Sequence, residues 1–182
     1  AGDVDIATAG RVMVTAKLKA DILDFSALTG GGGTPDNTAK SGSSGWSSAK
    51  IDASGLNAVD ADIVLQATSL DLGSIRFDAI KARVTIDKGR MAIDLGQARA
   101  YEGTIAGNIV VNARKGLSLG GDITASKVQL RPLLSDMADY DRLAAAADIK
   151  VKYLASGNSL EALMSNLSGS GSVKTGAGEI IG

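Results

Sequence analysis

The residues equipped for chemistry in this chain are few, and their spacing argues against the chemistry they suggest. Gly169-Ser170-Gly171-Ser172-Val173-Lys174-Thr175 has the glycines and the closing Lys-Thr of a phosphate loop. A phosphate loop also needs Gly directly before Lys-Thr, so that backbone amides close on the phosphate, and a helix after it. Val173 takes the first place and a strand-like tail the second, so the segment reads as a strand with glycine spacing. Asp60 with Asp62, and Asp136 with Asp139 and Asp141, are the candidate carboxylate groups. General acid–base work needs one raised pKa, from burial or a close like charge. The first pair shares the wet face of a strand, and the second group lies at and beyond a helix end. Both read as solvated surface, and neither has the spacing of a calcium loop. Serine and lysine are abundant, but neither Ser-x-x-Lys nor Gly-x-Ser-x-Gly followed by a helix stands out. Gly42-Ser43-Ser44-Gly45 sits in a low-complexity stretch, the wrong setting for a strained nucleophile elbow.

Composition removes further classes. Among 182 residues there is no histidine and no cysteine. That excludes Ser–His–Asp and Cys–His relays, imidazole or thiolate metal sites, and disulfides. Lys+Arg 19 against Asp+Glu 20, with six aromatic residues, is no nucleic-acid binder, which needs a basic excess and stacking platforms. No apolar run approaches a membrane span and no leader pattern opens the chain. It begins at Ala1 without methionine and stops at Gly182, which reads as a piece of a longer protein. The reading is a non-enzyme without cofactor.

The elements that fill the chain alternate with period two. Val12, Val14, Ala16, Leu18 and Ala20 fall on one face, and Met13, Thr15, Lys17 and Lys19 on the other. The rhythm returns at Ile63-Leu65-Ala67, Ile80-Ala82-Val84-Ile86, Met91-Ile93-Leu95, Ile105-Gly107-Ile109-Val111, Leu117-Leu119, Ile123-Ala125 and Ile149-Val151-Tyr153-Ala155. Such alternation marks half-buried strands. The phase slips between Phe77-Ala79 and Ile80, and at Gly96, where bulges are the expected remedy. Turns are expected at Asp87-Lys88-Gly89-Arg90, Tyr101-Glu102-Gly103, Arg114-Lys115-Gly116 and Gly120-Gly121-Asp122, each with a Gly for positive φ. Residues 57–128 therefore read as an antiparallel meander.

Two segments leave this rhythm. Leu130, Leu133, Leu134 and Met137 recur at helical spacing with Pro132 in the first turn. Leu160, Leu163, Met164 and Leu167 do so after the Asn158-Ser159-Leu160-Glu161 capping signal. Both predict short amphipathic helices whose stripes cover a sheet, joined by a strand over 146–155. Residues 30–45, with four consecutive glycines, cannot bury enough apolar surface to offset their ordering entropy and read as a flexible loop within one domain spanning 1–182. Trp46 reads as the pin of that loop's exit onto the sheet.

Areas then set the problem. About eight strands at roughly 4.8 Å, each about 33 Å long, make a face on the order of 1,250 Å². Two helices about 12 Å long and about 10 Å across cover roughly a fifth of it. Leaving the rest wet at about 25 cal/mol per Å² is prohibitive. The sheet must curl on itself, pack on another segment, or hold an apolar ligand. A lining of branched aliphatics suits flexible acyl chains better than planar cofactors. The lining residues on this reading are Ile63, Leu65, Val84, Ile86, Ile93, Leu95, Ile105, Ile109, Val111, Leu119 and Ile123.

At this point the sequence resembles a known family. Gly45-Trp46-Ser47 with Leu56 and Asp60-Ala61-Asp62-Ile63, Ile86-Asp87-Lys88-Gly89-Arg90-Met91, and Ala98-Arg99-Ala100-Tyr101-Glu102-Gly103-Thr104-Ile105-Ala106-Gly107 look like the C-terminal region of the AsmA family of bacterial envelope proteins. The family's Tyr-Gly-Gly element has Glu102 at its first Gly here. Residues 128–136, Ala155-Ser156-Gly157-Asn158-Ser159-Leu160, Leu163-Met164, Leu167-Ser168-Gly169 and Gly178-Glu179-Ile180-Ile181-Gly182 continue the resemblance in the same order. It implies a mainly β fold, an antiparallel meander forming a long curved, groove-like sheet with the two helices packed on its apolar face. It also implies a periplasmic region whose parent is anchored in the inner membrane by an N-terminal helix. Relatives of the TamB type are implicated in phospholipid movement between membranes and in outer-membrane assembly, and the family offers no catalytic residues to carry over. The expected partner is phospholipid in the groove, with envelope proteins as further partners. The alternative is a self-filled scaffold that supports outer-membrane protein assembly without binding lipid.

Overall fold

A computed structural model describes residues 2–8, 10–24, 46–71 and 76–180. The expected loop at 30–45, and Ile75 before the first phase slip, lie outside the described residues. Ten strands form one sheet: β1 Gly2–Ala7, β2 Val12–Asp24, β3 Val59–Asp71, β4 Arg76–Phe77, β5 Ala79–Asp87, β6 Arg90–Ala100, β7 Gly103–Asn112, β8 Ser118–Gln129, β9 Leu143–Ser156 and β10 Ser168–Ile180. Helix α1, Leu130–Ala138, follows β8, and α2, Leu160–Ser165, follows β9. The order across the sheet is β1-β2-β3-β5-β6-β7-β8-β9-β10, with β4 beside β3. Among the described residues β1 and β10 pair on one side only, so the sheet is open.

From β3 to β10 each strand pairs antiparallel with the next along this order, as expected of the meander up to β8, while the last two pairs are joined through the helices. The departure is β2, which runs parallel to β3 from Val12 opposite Val59 to Asp24 opposite Asp71. A parallel pair needs a long crossover, supplied by residues 25–58. Its described part crosses the sheet at the end where β3 and β8 begin. There Ser47 O accepts from Glu161 N at 3.0 Å, Ile51 N donates to Asn158 O at 2.8 Å, and a 3-10 turn at Ser54–Asn57 leads into β3. Backbone bonds of Ser47 and Ile51 therefore tie this segment to α2. Trp46, expected to be the pin, is exposed.

The slip at Phe77-Ala79 is a break at Asp78 between β4 and β5 rather than a bulge, and the slip at Gly96 is a bulge. Lys81 pairs with Gln97 and Ala82 with Leu95, so Gly96 is the extra residue. A further bulge at Ser126-Lys127 gives Lys127 a φ of 55°, and its N–H bonds to Asp148 Oδ1 at 2.9 Å. One expected turn is absent, and in another the positive φ falls on different residues. Gly120-Gly121-Asp122 lies inside β8, opposite Tyr153 and Val110. A Cβ on Gly121 would come within 2.9 Å of the Tyr153 hydroxyl and 2.7 Å of Asn108 O, so glycine there makes room for a ring. In the β6–β7 turn the positive φ angles belong to Tyr101 (52°) and Glu102 (60°). Gly103 instead starts β7, where a Cβ would lie 2.6 Å from Ser126 O and 2.7 Å from Val128 Cγ1.

Packing is concentrated at the end of the sheet reached by Asp71, Ala100 and Gln129. Leu70, Phe77, Ile80, Ala82, Ala98 and Ala100 form one buried cluster with Ala67. Leu130, Ala145 and Ala147 form a second, against Leu133, Leu134, Leu143 and Ile149 beneath α1. Val128, 1 % exposed, sits between β8 and the β6–β7 turn.

Two substitutions at adjacent positions should act in opposite directions. Gly103→Ala is expected to cost about 1–3 kcal/mol by overpacking Val128. Glu102→Gly is expected to gain about 1 kcal/mol by relieving a left-handed backbone angle. Urea unfolding midpoints of the two variants check both signs.

Candidate functional site

Residues directly opposite one another on neighbouring strands point to the same face, and the pairings align the aliphatics into rows across the strands. One row runs Ala16, Ile63, Val84, Ile93, Ile109, continuing through Gly121 to Tyr153. A second runs Leu18, Leu65, Ala82, Leu95, Gly107, Ile123, Val151, and a third Val14, Ala61, Ile86, Met91, Val111, Leu119, Ala155. All eleven expected lining residues therefore share one face, and all eleven are half-buried. Leu95 and Ile105 pack against the first buried cluster; the other nine make up the open part of the face. Seven strands side by side, β2 to β9 without β4, give this band a length of about 29 Å, and its three rows span about 14 Å along the strands.

Its boundaries follow from the chain. On one side stand the two buried clusters and α1, which packs on β8 and β9. On the other stand α2, which packs on β9, and the clasped segment 46–58. The helix stripes seat unequally. Leu130 is buried, Leu133 and Leu134 are half-buried, and Met137 has no described side chain. In α2 only Leu163 is buried; Leu160, Met164 and Leu167 are exposed, and Leu167 falls beyond the helix. Six residues make less than two turns, which seats a single side chain. The cap itself is as expected, with Ser159 Oγ accepting from Ala162 N at 3.1 Å.

The opposite face is polar and ion-paired. Arg83 grips Asp62 with two bonds of 2.7 and 2.5 Å. Asp60 accepts from Arg11 Nε at 2.7 Å and from Lys88 N at 2.8 Å. The Lys88 N–H, then Arg11, holds the Asp60 carboxyl below its ordinary range, and Arg83 does the same for Asp62. Both shifts run opposite to what a general acid requires. Asp139 caps α1 in a left-handed conformation (φ 51°), and Gly169–Thr175 lies within β10. Among the described residues the one strongly shifted group is Tyr101; burial of its hydroxyl first, then the Asp136 carboxylate, pushes it up to about 12. Among the described residues no cluster of three acidic side chains could hold a metal ion, and no helix is long and apolar enough to cross a membrane.

Two features were not foreseeable from the strands singly. Val14 and Leu18 join the band through the parallel β2–β3 pairing, which no local turn signal announces. Arg114 reaches from the β7–β8 loop to Lys88 O (2.8 Å) and to Asp87 O and Oδ2 (both 2.9 Å), fastening two hairpins together.

An open antiparallel sheet with one aliphatic face, one ion-paired face and flanking short helices defines a class of surface-presenting β-modules. The chain belongs to the AsmA family, whose model matches residues 32–182. This is a family of bacterial envelope proteins, not known for catalysis. No curated protein and no solved structure matches the chain.

Asp60 yields a pH test. Its folded pKa is depressed, so its contribution is present above the unfolded value of about 3.9 and is lost as pH falls through the lower folded value. The stability difference between the natural chain and Asp60→Asn should shrink steadily from pH 5 to pH 2 in urea titrations.

Proposed function

We propose that this module holds phospholipid acyl chains along its aliphatic band, as part of lipid movement between the inner and outer membranes. The observation that supports the reading is the set of aliphatic rows, half-buried at all eleven bulky lining positions, that runs across the strands, flanked on both sides and free of charge. A hydrocarbon tail spans about 15 Å, half of a bilayer core of about 30 Å. A band of about 29 Å therefore exceeds the length of one tail and accommodates its sliding from strand to strand. Branched aliphatics without a fixed polar partner impose no headgroup register, which suits conduction of lipids differing in their tails. On this reading the module is periplasmic, and the parent is anchored in the inner membrane.

The chain purified from a bacterial envelope without detergent should carry phospholipid detectable by native mass spectrometry. Ile109→Asn or Val111→Asn should lower the bound fraction by about tenfold or more, given about 1.5–3 kcal/mol for burying one such side chain. Val110→Asn, one residue along and on the other face, should leave it unchanged. A lipid-free natural chain would favour the self-filled scaffold instead.

A further inference from the structure

The polar face carries a concavity of its own. It has a volume of about 550 Å³ and lies across β2, β3, β5 and β6, lined by Lys19, Lys81, Arg99, Gln66, Gln97 and Thr68, with Asp21 the one carboxylate among the described residues that line it. The pairings explain the hollow. Lys19, Gln66, Lys81 and Gln97 form one row across the face; in the next, Arg99 stands opposite Ala79, with Thr68 and Asp21 following where the register of Ala20, Ala67 and Ile80 continues. Ala79 has almost no side chain, so the long cationic side chains stand around a gap above it.

The neighbouring position on β5 shows what is unusual here. Arg83 points to the same face, bonds to Asp62 on β3, and stands opposite Asp94 on β6. Lys81, two residues earlier, stands opposite Gln66 on β3 and Gln97 on β6. One cation lies between two carboxylates and the next lies between two amides. Arg99 stands opposite Ala79 and Thr104, again without a carboxylate. Over β3, β5 and β6, Lys81 and Arg99 with two amides and a hydroxyl leave the hollow with net positive charge and neutral donors.

We propose that this hollow is a binding site for a phosphate-bearing anion, on the face opposite the aliphatic band and independent of it. Arg99 supplies a planar fork matched to two phosphate oxygens, Lys81 supplies a point charge, and the two glutamines and Thr68 donate from the floor. The bulge at Gly96 brings Gln97 opposite Lys81 and so helps to set the spacing.

The test titrates the full chain with inorganic phosphate while amide chemical shifts are followed. Saturable shifts are expected at Gln66, Lys81, Gln97 and Arg99. Lys81→Gln with Arg99→Gln should weaken binding by about tenfold or more, as losing charge-assisted bonds requires. Lys17→Gln with Lys150→Gln removes equal charge from the same face outside the hollow and should leave the affinity unchanged. A second arm uses phosphatidylcholine vesicles with and without phosphatidylglycerol. Flotation that needs the anionic lipid and is lost in the Lys81/Arg99 variant identifies a lipid headgroup. Flotation that is absent or unaffected, with the phosphate titration intact, identifies a free phosphate-bearing solute. Absence of saturable shifts, or equal weakening in the Lys17/Lys150 variant, would overturn the proposal.

Discussion

Register is the constraint on which everything else depends. An aliphatic every second residue yields one oily face per strand, but a continuous surface forms only if neighbouring strands agree in phase. Here Ile63 meets Val84, Val84 meets Ile93, and Ile93 meets Ile109 without a break. A slip of one residue in β5 or β6 would set Arg83 or Asp94 into the row and expose its aliphatics on the ion-paired side. The bulges at Gly96 and at Ser126-Lys127 therefore preserve the band. Each absorbs an extra residue at the packed end, where Ala98, Ala100 and Val128 are sealed, and restores the phase.

That division also explains how one sheet is both stable and open. Small residues dominate the buried end: Ala98 and Ala100 are fully buried, and Gly103 lets β7 approach Ser126 and Val128. Close backbone packing there holds the strands together, as do Arg114 across two hairpins and Asp148 at the second bulge. The bulkier Ile, Leu and Val side chains stand where burial is incomplete. The ion pairs face away from them, so no charge must be desolvated for the band to take up a hydrocarbon.

Much of this was legible in the residues. Period two located the strands and assigned the eleven lining positions to one face, and the leucine spacing placed both helices. What remained hidden was relational. A parallel pair has no local signature, because its crossover is long and the matching residues of β2 and β3 are far apart in sequence. Glycine was ambiguous for a physical reason: it serves either a positive φ or a close approach. At Gly103 and Gly121 the second need governs, while Tyr101 and Glu102 take the strained angles. The polar hollow was invisible for the same relational reason, since it exists only once Ala79 is set among Lys81, Arg99 and Thr68.

The central claim, that one face and not the other meets lipid, is tested most directly by photocrosslinking in cells. A photoreactive amino acid placed in turn at Asn108, Ile109, Val110 and Val111 samples both faces of β7 within four positions. The account predicts phospholipid adducts at 109 and 111 and none at 108 and 110. Adducts at all four positions, or at none, would contradict it.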